Sequence, residues 1–350
     1  MQNGRMKQLV SASGRRRRAR DSDVPNGPPV KPKVGIVLGS GVARGWAHIG
    51  VLEALGRLGV APDIVCGCSS GALVGASYAA GRLDTLNELA RAMTFSRTLG
   101  FLDVRFSRGG LIEGRWIVDF FRKHIGDILI EDARCTFGAV ATELGSGRET
   151  WLTSGSIIDA VRASLALPGL LTPVPLKGQW LVDGALVNPL PVSLCRALGA
   201  EVIIAVNLSG DLVTRSGIVS RRKPRTRIVS PSRSSWVGRL RRAQDTEGAE
   251  DPAAVPTYLE VIAGSFLVME NFVSRVRLAA DPVDVLVTPE ARHIGVMDFH
   301  RAQEAIAAGQ EAVEAARDQI LAACRVPPEA APGGGEPPGT SSGEAGPQPR

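Results

Sequence analysis

The sequence has little with which to build a disulfide framework, a metal cage or a membrane span. Its five cysteines, Cys66, Cys68, Cys135, Cys195 and Cys324, are odd in number and scattered, and the only close pair is a C-x-C. That spacing offers neither a disulfide scaffold nor a zinc site, so no metal and no cofactor is expected. No apolar run reaches the roughly 18 residues needed to cross a bilayer. The N-terminal arginines are not followed by the apolar stretch of a secretory signal. These absences predict a cytoplasmic protein with any membrane contact peripheral. Histidine is scarce as well, with His48, His124, His293 and His300 the four candidates for imidazole chemistry.

What is present suffices for one large core, since the chain has 350 residues of which 44% are hydrophobic. Residues 1–32 hold Arg15, Arg16, Arg17, Arg18 and Arg20 among Pro, Gly and Asp, and read as a disordered basic arm. Residues 326–350, rich in Pro, Gly, Glu and Ser, bury too little to offset their ordering entropy and read as a disordered tail. Between 209 and 255 the pattern dissolves into Arg, Ser and Pro, as in a mobile insertion. One α/β domain over 33–325 remains. The net charge of +6 comes mostly from the arm and from Arg215 to Arg242. Such clusters suit an anionic membrane surface, at about 1 kcal/mol per Lys or Arg near the bilayer. They carry no pattern of a specific nucleic-acid site.

Apolar periodicity supplies the element order. Val34 to Leu38 predicts a strand and Val42 to Leu58 a helix, followed by a short strand from Ile64 and a helix over Ala72 to Ala80. This β-α-β-α opening implies a mainly parallel sheet covered on both faces. Further helices are predicted over Leu83 to Met93, Gly114 to His124 and Ser156 to Leu165. Strands follow at Thr136 to Thr142, Glu149 to Leu152, Trp180 to Val182 and Val202 to Val206, with a helix near Val192 to Leu198. The expected C-terminal part is a helix from Thr257 to Val276, a strand Val283 to Val287 and one helix from Asp298 to Cys324.

Three motifs fall at strand ends. Gly67-Cys68-Ser69-Ser70-Gly71 matches G-x-S-x-G between a strand and a helix, the context in which a serine sits on a strained turn with its hydroxyl at a helix N-terminus. Gly39-Ser40-Gly41-Val42-Ala43-Arg44-Gly45 follows the first strand, where glycines let backbone N–H groups converge on an oxyanion or a phosphate. A dinucleotide fingerprint is disfavoured there, because Arg44 takes the third-glycine position and no acidic residue ends the second strand. Asp183-Gly184-Ala185 closes the strand at Trp180 to Val182. Alone it reads as a turn cap.

In this order the three motifs resemble the patatin-like phospholipase family. Ala163-Ser164 through Pro168-Gly169 to Pro173-Val174 adds to the likeness. The closest match looks like the bacterial branch related to neuropathy target esterase. The resemblance implies a three-layer α/β/α sandwich with Ser69 as nucleophile and Asp183 as base. It also implies an oxyanion hole from the backbone of Gly39, Ser40, Gly41 and Val42, with Arg44 and Gly45 bracing that loop. Gly67, Gly71 and Gly184 are the motif glycines, and Asp-Gly-Ala stands where Asp-Gly-Gly is more familiar.

A histidine base is disfavoured by position, because only one full strand precedes the strand that leads to Ser69, unlike in α/β-hydrolases. A carboxylate can take the serine proton directly once burial has raised its pKa. The expected function is a serine acyl-hydrolase that cleaves lipid esters, phospholipid or lysophospholipid, through an acyl-enzyme. The alternative is a catalytically silent, membrane-associated regulatory protein of the same fold.

Overall fold

The computed structural model describes residues 31–94, 115–124, 126–209 and 258–327. All but the edges of the expected arm (1–32), insertion (209–255) and tail (326–350) therefore lie outside the described residues. The described residues from Pro32 onward belong to one compact unit.

The core is a mixed sheet of eight strands with helices against it. Strand β1 (Val34–Leu38) lies between β2 (Ile64–Cys68) and β7 (Val202–Val206), parallel to both. Strand β3 (Thr136–Glu143) continues the parallel set beyond β2, and β8 (Val285–Val287) continues it beyond β7. Both faces of β1, β2 and β7 are buried, and their side chains alternate between two cores as a period of two requires. Val34, Ile36, Leu38, Val65, Ile204 and Val206 join the larger core, under α1 (Ala47–Arg57) and α2 (Ser70–Ala79). Val37, Ile64, Cys66, Ile203 and Ala205 face the other way, against Val192, Leu194 and Cys195. These last three come from a short helix (Val192–Ala197).

The antiparallel part creates the site. Ala139 and Val140 of β3 pair with both β2 and β4 (Glu149–Leu152), so these two strands occupy opposite edges of β3. Ala141 and Thr142 pair with both β4 and β6 (Gln179–Asp183), so β6 shares the edge that β2 has just vacated. Cys68 ends β2 opposite Val140, and Asp183 ends β6 opposite Ala141. Two strands of opposite direction thus meet end to end along β3. The loop after β2 and the last residue of β6 are forced together.

Several elements differ from the expected ones. The predicted helix from Val42 starts as a 3-10 turn over Val42–Trp46 before α1, because the chain leaves Gly41 with Val42 at φ 51°. A short strand, β5 (Val174–Leu176), pairs with β6; Pro175 in its middle hides it from periodicity. The predicted helix from Asp298 is broken into a 3-10 turn (Phe299–Arg301) and helices Ala302–Ala315 and Arg317–Ala323, the last break falling at Ala316 with φ −98° and ψ 6°. The helix expected from Thr257 extends over Tyr258–Ala280 and is polar on part of its inner side. Its Leu267, Glu270, Asn271 and Ser274, spaced as one helical stripe, are buried, whereas Val261, Val268, Phe272 and Val276 are exposed. Among the described residues, no helix is long and apolar enough to cross a membrane.

Candidate active site

Ser69 links β2 to α2 with φ 54° and ψ −121°, a conformation that a non-glycine residue adopts only under constraint. The constraint is visible in its neighbours. A Cβ on Gly67 would press on the Ala72 nitrogen and on the backbone of Gly71, and one on Gly71 would run into the Leu38 carbonyl. Strand and helix can close on the serine because both glycines lack side chains. The Ser69 N–H is held by Ser164 Oγ at 2.9 Å, and Ser164 Oγ in turn donates to the Val140 carbonyl at 2.6 Å. Ser164 ends the helix Ile157–Ser164 and is fully buried. Sequence reading noted it only within the family likeness. A serine on the buried stripe of that helix was the signal that could have found it.

Asp183 meets the nucleophile candidate directly. Ser69 Oγ donates to Asp183 Oδ2 at 2.7 Å, and Asp183 Oδ1 accepts the Ala185 N–H at 2.8 Å. The carboxyl is 1% exposed. Burial pushes its pKa up to about 7, against the opposing pull of the Ala185 N–H and the Ser69 hydroxyl. Its main chain is pinned by Thr142 Oγ1, which donates to the Asp183 carbonyl at 2.8 Å, and by its own N–H to the Ala166 carbonyl at 3.0 Å. A Cβ on Gly184 would collide with the Val140 carbonyl, so this turn too needs its glycine.

The glycine loop lies beside this pair, with Gly45 packed against the Ser70 side chain. Four amides were expected to face an oxyanion, and two of them are hydrogen-bonded to other parts of the chain. The Gly39 N–H already donates to the Val206 carbonyl at 3.1 Å, and the Ser40 N–H to the Pro189 carbonyl at 2.9 Å. The amides of Gly41 and Val42 are not spent on these contacts. Arg44, 5% exposed, ties the loop down by donating from Nε to the Ile294 carbonyl at 3.0 Å. Burial lowers the pKa of its guanidinium, and Glu270 pulls it back up.

The four histidines are engaged elsewhere. His48 is fully buried and donates from Nε2 to the Gly39 carbonyl at 2.7 Å, and burial lowers its pKa to about 4, so it braces the loop as a neutral ring. His293 is half exposed and faces Glu304, with 3.4 Å between Nε2 and Oε2. His124 ends the helix Arg115–His124, and His300 lies in the 3-10 turn Phe299–Arg301.

Two features had escaped sequence reading. Glu270, from the long helix, is 1% exposed and accepts from Ser209 Oγ at 2.9 Å; burial pushes its pKa up to about 7. A small apolar cleft, open to solvent, is lined by Val42, Leu167, Leu170, Ile262, Phe266 and Met297. Val42 thus belongs to the loop and to the cleft at once.

Comparison with known proteins bears on what this arrangement belongs to. The family model described as patatin-like phospholipase matches residues 36–196, which includes Ser69 and Asp183. An uncharacterized NTE family protein of Mycobacterium tuberculosis is 32% identical over 80% of this chain and 89% of its own length. A second M. tuberculosis protein of that family is 34% identical over 81% of this chain and 46% of its own. The lysophospholipase nte1 of Emericella nidulans is 37% identical over 50% of this chain, which corresponds to 12% of that larger protein. With this likeness over most of its length, the chain belongs to the patatin-like phospholipase family, in its NTE-related branch.

Proposed function

We propose that this protein is a serine acyl-hydrolase that cleaves carboxylic esters of phospholipid or lysophospholipid. The single observation that carries the reading is the 2.7 Å hydrogen bond from Ser69 Oγ to Asp183 Oδ2, a buried carboxyl whose pKa of about 7 suits a general base at neutral pH. Family membership and the fungal relative named a lysophospholipase support the substrate class.

In the proposed reaction Ser69 Oγ attacks the ester carbonyl as Asp183 takes its proton. Charge on the carbonyl oxygen develops toward the N–H groups of Gly41 and Val42, at the start of a turn and with no need for side-chain movement. Collapse of the tetrahedral species breaks the carbon–oxygen bond of the leaving alcohol, which receives the proton from Asp183 and leaves the acyl group on Ser69. Water, deprotonated by Asp183, then attacks the acyl-enzyme and releases the fatty acid. The apolar cleft beside Val42 receives the acyl chain, at roughly 0.8 kcal/mol per buried methylene.

A cytoplasmic location, with peripheral contact to anionic membrane through the basic arm and the 209–255 insertion, completes the proposal. Its support is their arginine content. The test is labelling with a fluorophosphonate probe and turnover of lysophospholipid, in the wild type, Ser69→Ala and Asp183→Asn. Both variants are expected to lose labelling and turnover while remaining folded. Retained turnover in both would overturn the reading. Sedimentation with anionic vesicles without any labelling of the wild type would favour the silent, membrane-associated alternative.

A further inference from the structure

We propose that the outward face of the helix Tyr258–Ala280 is a docking surface for a phospholipid bilayer, set beside the end of the sheet that holds Ser69 and Asp183. The choice of partner rests on the reading of this protein as a lipid hydrolase.

The helix is inverted relative to one that faces water. Its buried side carries Leu267, Glu270, Asn271 and Ser274, of which three are polar. Roughly opposite them, at helical spacing, Val261, Val268, Met269, Phe272 and Val276 are exposed. Phe272, at 69%, is more exposed than either Trp151 or Trp180. A contiguous apolar stripe left in water marks an interaction site.

The helix lies across the site end of the sheet. Glu270 Oε1 accepts at 2.9 Å from Ser209 Oγ, just beyond the end of β7. Arg277 Nη2 donates at 2.9 Å to the carbonyl of Val187, just beyond Asp183. The helix also packs on the turn Gly184–Leu186. Its Ile262 and Phe266 line the apolar cleft together with Val42 of the glycine loop. Met269 stands three positions after Phe266, and residues at that spacing are neighbours on a helix surface, so the exposed stripe borders the cleft wall.

Charge and position select lipid as the occupant. Among the described residues 261–280, no exposed position is acidic, and Arg275 is the exposed charge. Arg275 stands three positions after Phe272, where an arginine stem can lie along apolar surface while its head meets a phosphate. An apolar stripe with a cationic edge and no carboxylate suits a helix that lies in the plane of an anionic bilayer. The helix is not apolar enough to cross one. An acyl chain leaving a bilayer that touches the stripe enters the bordering cleft with little exposure to water.

The test is sedimentation of the full chain with vesicles of phosphatidylcholine and phosphatidylglycerol in equal parts, at low and at high salt. The wild type is compared with a variant that combines Val268→Gln, Phe272→Gln and Val276→Gln, all exposed positions outside the cleft. Vesicle affinity of the combined variant is expected to fall about tenfold or more at both salt levels, because apolar burial is not screened. Its turnover of a short, soluble p-nitrophenyl ester should stay within about twofold of wild type. Phe272→Trp should sediment as the wild type does, with the fluorescence that it adds quenched by brominated lipid. A wild type that stays in solution, a combined variant that binds as the wild type does, or an unquenched Phe272→Trp signal overturns the proposal. So does a wild type that elutes as a dimer beside a monomeric combined variant, which gives the stripe to a second copy of the chain. A wild type that binds vesicles through this face but hydrolyses no ester defeats the hydrolase reading and leaves the docking surface standing.

Discussion

Ser164 accepts the Ser69 N–H at 2.9 Å, which leaves the strained turn at Ser69 held from its backbone as well as from its side chain. The same hydroxyl donates to the Val140 carbonyl, so one side chain joins the helix Ile157–Ser164, strand β3 and the serine turn. Ser164→Ala leaves a buried N–H and a buried carbonyl each short of a partner. It is expected to lower stability by about 1–3 kcal/mol. Fluorophosphonate labelling should slow about tenfold or more, because Ser69 can relax from its positive φ. Melting curves together with labelling rates check both, and unchanged labelling would mean the turn is held by its glycines alone.

Asp183→Asn is expected to remove turnover and to raise stability at alkaline pH. The folded chain holds the Asp183 proton up to about pH 7, whereas the unfolded chain releases it near about pH 4. The stability due to this carboxyl is thus full below about pH 4 and is lost as pH rises through about 7. An asparagine, neutral throughout, avoids that loss. The variant should be more stable at pH 8 by on the order of 2–4 kcal/mol, with the gap closing toward pH 4. Denaturant titrations at pH 5 and pH 8 give the comparison, and a gap that widens toward acid would contradict the assigned burial.

Gly71→Ala places a Cβ against the Leu38 carbonyl, a backbone group at the end of β1 that cannot step aside. Overpacking of this kind costs about 1–3 kcal/mol in ordinary cores and more against backbone. Low soluble yield or a sharply lowered melting temperature is expected, measured beside Gly56→Ala, a glycine whose Cβ would meet nothing within 4 Å. Equal stability of the two variants would refute the close approach of α2 to β1.

Phe266→Trp adds volume to the wall of the apolar cleft beside Val42. If the cleft holds the acyl chain, the chain-length optimum across p-nitrophenyl esters should move to shorter acyl groups. Short-ester turnover should stay within about threefold of wild type, since one or two lost methylene contacts are worth about 1–2 kcal/mol on long chains only. An unchanged optimum would place the acyl chain elsewhere.

Much of the architecture was legible because it is written in short-range patterns. Val34 to Leu38 and Val202 to Val206 are short apolar runs of the length a strand buried on both faces uses, and both are strands at those bounds. The long final helix was misread because Ala, Gln and Glu around Ala316 are good helix formers. Nothing local announces the break that lets Ile320 and Leu321 reach the core. The loop amides were over-counted for a related reason. Gly39 and Ser40 have the residue types of an oxyanion loop, but their N–H groups are claimed by Val206 and Pro189, more than 140 residues away. Glu270 could not be found at all, since a glutamate on such a helix reads as a solvated residue.

The sequence by itself determined most of the order of strands and helices, the G-x-S-x-G turn and the Asp-Gly-Ala turn, each a matter of glycine placement and apolar period within a few residues. Only the tertiary structure decided that Ser69 and Asp183, 114 residues apart, share a hydrogen bond. It also decided that the Gly39 and Ser40 amides are spent on Val206 and Pro189. The reason is that β2 and β6 meet along one edge of β3, and which strands share an edge depends on pairing between distant segments, not on any pattern within one of them.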